Sequence, residues 1–158
     1  MLWARKTRRL LVAELPSASK GDYAGDITPN EAWERLSAEP GAVLVDVRTD
    51  AEFNYVGRPD LSSIGKQTSL ISWCLFPTNE INPTFTDDVS NAGIDTNQTV
   101  ICLCRSGVRS RHSAAALTRV GFTDCYNVLE GFEGDKDSGG HRGSVGGWKV
   151  AGLPWEQG

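Results

Sequence analysis

Seven consecutive residues, Cys104-Arg105-Ser106-Gly107-Val108-Arg109-Ser110, carry the densest chemistry in this chain. They follow an apolar run, Thr99-Val100-Ile101-Cys102-Leu103, and precede a stretch with Ala114, Ala115, Leu117 and Val120 at helical spacing. The pattern predicts a thiol at the carboxyl end of a strand, in a tight turn, directly before a helix N-terminus. Main-chain N–H groups without helical acceptors, together with the helix dipole, make a cradle for negative charge there. Gly107 lets several amides turn into the loop. Arg105 and Arg109 add two full cations. Such surroundings favour a thiolate over a thiol. The chemistry indicated is nucleophilic attack by Cys104 on an anionic or anion-leaving substrate, with a covalent intermediate on sulfur.

The other cysteines, Cys74, Cys102 and Cys125, lack this setting. Cys102 lies inside the apolar run and reads as a packed core residue. Four cysteines without a CxxC pair, with His112 and His141 as the only histidines, signal neither a disulfide scaffold nor a zinc site. No metal or cofactor is called for, and reduced thiols in a cytoplasmic setting are expected. His112, in the helix after the loop, reads as a surface residue rather than a base.

The chain has 158 residues, enough for one domain. A net charge of −4 disfavours nucleic-acid binding, and no stretch nears the roughly 20 apolar residues of a membrane span. Residues 1–20 are locally basic, with Arg5, Lys6, Arg8, Arg9 and Lys20 against Glu14. The apolar run there, Leu10 to Ala13, is too short for a secretory leader, so a frayed arm or an early start site is expected.

Residues 1–25 are expected to be this arm and a polar linker, which runs on to residue 26 by composition, and residues 26–133 the domain proper. Thr28-Pro29-Asn30-Glu31 is a helix start with a capping box, and Pro40-Gly41 a stop. Ala42 to Val47 is apolar on both faces, as in a central parallel strand, with Asp46 and Arg48 at its end. A short helix over 50–55, a strand over 70–76, a helix near 85–92, the 99–103 strand, the 110–120 helix and a strand over 125–129 follow. This alternation predicts an α/β fold with a mostly parallel sheet. The glycine-rich residues 134–158 are expected to wrap the domain as a loop and tail, with Trp148, Leu153 and Trp155 as anchors.

On three segments the sequence resembles the rhodanese family of sulfurtransferase domains. Val45-Asp46-Val47-Arg48 followed by Glu52-Phe53 is similar to the family's early Asp-x-Arg…Glu-aromatic motif. Ile101 to Ser110 resembles its strand, active-site loop and helix start. Asn127 to Phe132 resembles its late strand and glycine turn. The resemblance implies a five-stranded, mostly parallel sheet flanked by helices. It implies a Cys104 persulfide held by residues Arg105, Ser106, Gly107, Val108 and Arg109, with the arginines holding the anionic donor. The donor implied is thiosulfate or a related small anion; the acceptor is cyanide, a thiol or a sulfur-carrier protein. Asp46 and Arg48 would support the loop.

A phosphatase or arsenate reductase would use a Cys-x5-Arg loop, but Cys104 to Arg109 is Cys-x4-Arg. The smaller cradle suits one sulfur atom better than a phosphate. A persulfide carrier or regulatory module would need the same loop as a turnover enzyme, and a domain of this size can act as a monomer. Two stretches depart from the family pattern. Gly57-Arg58-Pro59-Asp60-Leu61 stands where many members have Gly-His-Ile-x-Gly-Ala. The segment Gly134 to Trp148 could fold over the loop with His141 or Arg142, or lie on the surface, which is the expectation here.

Overall fold

The computed structural model describes residues 9–19 and 21–158; Arg5, Lys6, Arg8 and Lys20 of the basic arm lie outside it. In chain order the elements are β1 (Gly25–Ile27), α1 (Pro29–Ala38), β2 (Val43–Asp46), α2 (Asp50–Tyr55), β3 (Arg58–Pro59), β4 (Ser69–Leu70), β5 (Cys74–Leu75) and β6 (Glu80–Ile81). Then come α3 (Phe85–Asn91), β7 (Thr99–Leu103), α4 (Val108–Arg119), β8 (Asp124–Val128) and β9 (Trp155–Glu156). Five strands form one parallel sheet in the order β1-β8-β7-β2-β4. β3 with β9, and β5 with β6, form two small antiparallel pairs. Among the described residues no helix is long and apolar enough to cross a membrane.

Local sequence explains the main elements. Thr28 Oγ1 accepts the Glu31 N–H at 3.2 Å while Glu31 accepts the Thr28 N–H at 2.7 Å, so the expected box starts α1. Thr49 and Glu52 repeat the device on α2. β7 lies at the centre of the sheet, and all five of its residues are buried. Its side chains alternate between two cores. Cys102 and Cys104 join Val45, Val47, Phe85 and Leu117 on one face. Ile101 and Leu103 join Leu36, Leu44, Phe132 and Trp148 on the other.

Three expectations change. The strand over 70–76 divides: Ser69–Leu70 pairs with β2, and Cys74–Leu75 turns away to pair with β6. Main-chain bonds from Ile71 to Asp46 and from Trp73 to Val47 carry the chain past the sheet edge between them. Residues 25–27, assigned largely to the linker, are the edge strand β1, held through register with Tyr126–Val128 on β8. Nor do residues 9–16 fray. Leu11 bridges to Glu80, Leu10 accepts the Ile81 N–H at 2.8 Å, and Val12 and Leu15 pack on the core. Burial of these aliphatic side chains offsets the entropy of ordering a polar-looking segment.

The tail carries the expected anchor. Trp148 is buried, meets Trp33 edge-on at 6.0 Å, and donates its indole N–H to Pro154 O at 2.7 Å. Trp155 is partly exposed, in β9 against β3.

Asp46 and Arg48 form an ion pair with both side chains fully buried, Nη2 to Oδ2 at 2.6 Å. Arg48 also donates to Gly57 O at 2.7 Å and lies 4.3 Å from the Phe132 ring centre. Removing one partner leaves an uncompensated buried charge. Asp46→Ala should therefore lower the unfolding free energy by about 3–5 kcal/mol in urea titrations. An apolar double variant, Asp46→Leu with Arg48→Met, should lose clearly less.

Candidate functional site

Cys104 follows β7 directly, and α4 begins at Val108. Gly107 makes the turn between them at φ +104, in the left-handed region that favours glycine. The turn aims the Gly107 N–H at Cys104 Sγ, 3.0 Å away. Ser110, one turn into the helix, brings its hydroxyl to 3.0 Å from the same sulfur. The first amides of α4 have no intrahelical acceptor.

The carbonyls of the loop are tied outward. Phe132 N–H donates to Cys104 O at 2.8 Å, and Glu133 N–H to Arg105 O at 3.0 Å. Gly131 (φ +62) makes this approach possible, since a side chain there would strike Cys104 O and the Arg105 carbonyl.

A polar chain runs inward from the sulfur. Ser110 donates to Asn127 Oδ1, Asn127 donates to Asp26 Oδ1 at 2.9 Å, and the Tyr23 hydroxyl donates to that same oxygen at 2.8 Å. Burial, with Asp26 adding to it, pushes the Tyr23 hydroxyl up to about 12, which keeps it a donor. Ser110 has one hydrogen for two neighbours. While it serves Asn127, the sulfur must be the donor to Ser110; once the sulfur is ionised, the hydroxyl can turn to it.

Arg109 is not a free cation. Its guanidinium holds Glu52 in a two-pronged pair, at 2.6 and 2.9 Å. Burial pushes the Glu52 carboxyl up, but the hydrogen bonds and charge of Arg109 outweigh it and leave Glu52 below its ordinary value. Arg105 is exposed and has no ion-pair partner among the described residues. Loop residues Cys104, Arg105, Ser106, Val108 and Arg109 line one cavity of about 530 Å³, with Cys74 and Glu52 and with Leu11, Val12 and Ala13 across the mouth.

Burial favours the protonated form of the remaining thiols. Burial pushes Cys74 and Cys125 each up to about 11, and Cys102 higher still. His112 lines a different cavity, with Trp73 and Ile81, and burial and two arginines pull it down. His141 sits beside Asp137 and Arg142 donates to Gly134 O; neither lines the Cys104 cavity. Sequence reading named neither Ser110 as a partner of the sulfur nor Asn127 as the partner behind Ser110, and took Glu52 only as part of a motif. An asparagine in an otherwise apolar strand was the available signal, because buried amides require partners.

Comparison with known proteins gives a consistent answer. A family model described as the STR4 middle domain matches residues 24–158. The crystal structure of Rv0390 from M. tuberculosis superimposes with a TM-score of 0.79 at 48% identity, over 86% of this chain and 99% of that one. The thiosulfate sulfurtransferase GlpE of Actinobacillus pleuropneumoniae is 33% identical over 131 residues, 83% of this chain and 92% of the relative. The rhodanese-like domain of the Alr3790 protein from Anabaena shares the fold, with a TM-score of 0.56 at 16% identity over 84% and 78% of the two chains.

Two outcomes follow from the geometry. Glu52 is depressed in the folded state. Its contribution to stability is therefore complete above the unfolded carboxylate value, about 4.3, and is lost as pH falls through the lower folded value. Urea midpoints measured across the acid range should show this loss, and Glu52→Gln should be less stable at neutral pH with a flatter acid limb. Separately, Gly131→Ala should destabilise by about 2 kcal/mol or more through its clash with the loop. Gly121→Ala, at φ +104 but facing open space, should cost less in the same assay.

Proposed function

The chain belongs to the rhodanese-like sulfurtransferase family, and from that premise we propose that it moves a sulfane sulfur from thiosulfate or a related anion to a thiophilic acceptor through a persulfide on Cys104. In the first half-reaction the Cys104 thiolate attacks the outer sulfur of thiosulfate. A new S–S bond forms, the old one breaks, and sulfite leaves with the electron pair. In the second, an acceptor takes the outer sulfur and Cys104 regains its charge. Each half-reaction balances without an external oxidant or reductant.

The observation that carries this reading is the sulfur's setting. Cys104, itself buried, helps line a cavity, and its Sγ has a main-chain N–H and a hydroxyl both at 3.0 Å. Those donors are placed to stabilise negative charge on sulfur in both half-reactions. In this reading Arg105, unpaired and exposed, draws in the anionic donor. Ser106 and Val108 line the same mouth, and Gly107 supplies the amide. Arg109, bound to Glu52, fixes the wall of the cavity and lends it only part of its charge. All four cysteines are buried; Cys104 is set apart by the main-chain N–H aimed at its sulfur at the edge of the cavity, which in this reading makes it the one that reacts. The reading keeps the reaction in a reducing, cytoplasmic setting, with a thiol or sulfur-carrier protein as acceptor.

Intact-mass measurement after thiosulfate treatment should show the gain of one sulfur, removed by cyanide or dithiothreitol and absent in Cys104→Ser. Sulfur on Cys74, Cys102 or Cys125 would overturn the assignment. Turnover of an aryl phosphate or arsenate, with none of thiosulfate, would replace it with oxyanion chemistry.

A further inference from the structure

The mouth of the Cys104 cavity has two unlike walls. One is polar, with Arg105, Ser106 and the Glu52–Arg109 pair. The other is supplied by a segment far away in sequence, Leu11, Val12 and Ala13, with Thr78 and Asn79 of the β5–β6 turn beside it. This strap is fixed rather than draped. A short 3-10 turn over Val12–Glu14 is closed by the Glu14 N–H on Leu11 O at 3.0 Å, and Glu14 in turn accepts the Leu11 N–H at 2.8 Å. Leu11 bridges to Glu80, Arg9 reaches Glu80 at 3.5 Å, and Val12 packs into the core. Leu11 itself is 38% exposed, which leaves part of its side chain free for a ligand. Val108, also half-exposed, adds apolar surface from the loop side.

The strap lies outside the family match, which begins at residue 24. The apolar wall is therefore an addition to the segment that the family match covers. The cavity is also larger than a five-atom anion needs: about 530 Å³ is within the range of roughly 300–1,000 Å³ that small-molecule sites occupy.

We propose that Leu11, Val12 and Ala13 select the sulfur acceptor, and that the acceptor is a small thiol with an apolar body and an anionic far end. The proposal rests on the Cys104 persulfide reading and names the acceptor class for that site. The thiolate of the acceptor meets the outer sulfur above Cys104, its apolar body lies against Leu11, and its anionic end reaches Arg105. The acceptor's sulfur bonds to the outer sulfur, the bond from that sulfur to Cys104 breaks, and the electron pair returns to Cys104. The acceptor leaves as its own persulfide. Thiosulfate, with no apolar body, gains nothing from this wall.

The test uses the full chain, loaded to completion with thiosulfate and freed of excess donor. Discharge is followed by intact mass against two probes with the same thiol and carboxylate ends, 3-mercaptopropionate and 6-mercaptohexanoate. The longer thiol should half-saturate discharge at a concentration about ten-fold or more below the shorter, since seating even one of its three extra methylenes well in an apolar site is worth about ten-fold or more. In Leu11→Ser that ratio should fall several-fold, through half-saturation rather than through the saturating rate, and Leu11→Phe should keep it. Equal half-saturation for the two thiols in the unaltered protein, or an unchanged ratio in Leu11→Ser, overturns the proposal while leaving the persulfide reading intact. Failure to load any sulfur overturns the persulfide reading itself, and this inference with it.

Discussion

The site depends on which way the peptide groups of one short loop face. A loop between a strand and a helix can present either its carbonyls or its amides to the space it encloses. Here the Cys104 and Arg105 carbonyls are bound on the outside by the amides of Phe132 and Glu133. With the acceptors turned out, the Gly107 donor is free to point in at the sulfur. The hold requires a backbone to pass where any side chain would collide, which is why Gly131 stands there. The glycine-rich tail is part of the same arrangement. Its Trp148 is buried among Leu44, Leu103 and Phe132, and its amide binds Gly131 O at 2.8 Å. The opposite core thus braces the loop from beneath.

Charge is distributed unevenly around this frame. The loop has two arginines, but the two-pronged contact with Glu52 nearly neutralises one of them and holds it in place. The pair ties the first turn of α4 to α2, so its value is partly geometric. The other arginine keeps its whole charge at the solvent edge. Its field at the mouth is that of a solvent-screened charge. Around the sulfur itself the nearest polar groups are the oriented dipoles of the Gly107 amide and the Ser110 hydroxyl. Fixed dipoles need not reorganise as charge moves onto and off the sulfur, whereas a tightly bound guanidinium at the floor would hold an anion in place. Behind Ser110, the amide of Asn127 and the carboxylate of Asp26 give the hydroxyl an alternative partner whenever the sulfur is protonated.

Much of this was legible in the sequence, where the deciding signal was local. A run of apolar residues on both faces marks a central strand, and Thr99 to Leu103 is one. The α1 cap is written in four residues. The Cys104 loop is recognisable because strand, turn and helix start are contiguous. What was missed depended on contacts distant in sequence. Gly25–Ile27 has one large apolar residue and becomes a strand through its pairing with Tyr126–Val128. The Glu52–Arg109 pair spans 57 positions, so Arg109 looked uncommitted. The division of the 70–76 strand follows from the edge of the sheet, which local apolar content does not reveal. Residues 9–16 fall within the locally basic stretch 1–20 and carry only a short apolar run; that the run meets β6 and the core is a tertiary fact.

The two parts of the molecule contribute differently to the site. The parallel sheet and α4 supply the elements that any sulfur transfer by this route requires, and they are built from contiguous, heavily buried segments. One wall of the mouth comes from Leu11, Val12 and Ala13 of the strap and from the β5–β6 hairpin it binds, which brings Thr78 and Asn79 to the cavity. Among the described residues these peripheral pieces meet through the Leu11–Glu80 bridge, the Ile81 N–H on Leu10 O and the exposed Arg9–Glu80 ion pair, together with modest apolar packing. An exposed ion pair contributes about 0–1 kcal/mol. The mouth is therefore the less stable layer, and the one whose composition can change without disturbing the loop. Cys104 and its donors sit on the sheet and α4, while the mouth around them is completed by segments packed against the core from outside the sheet.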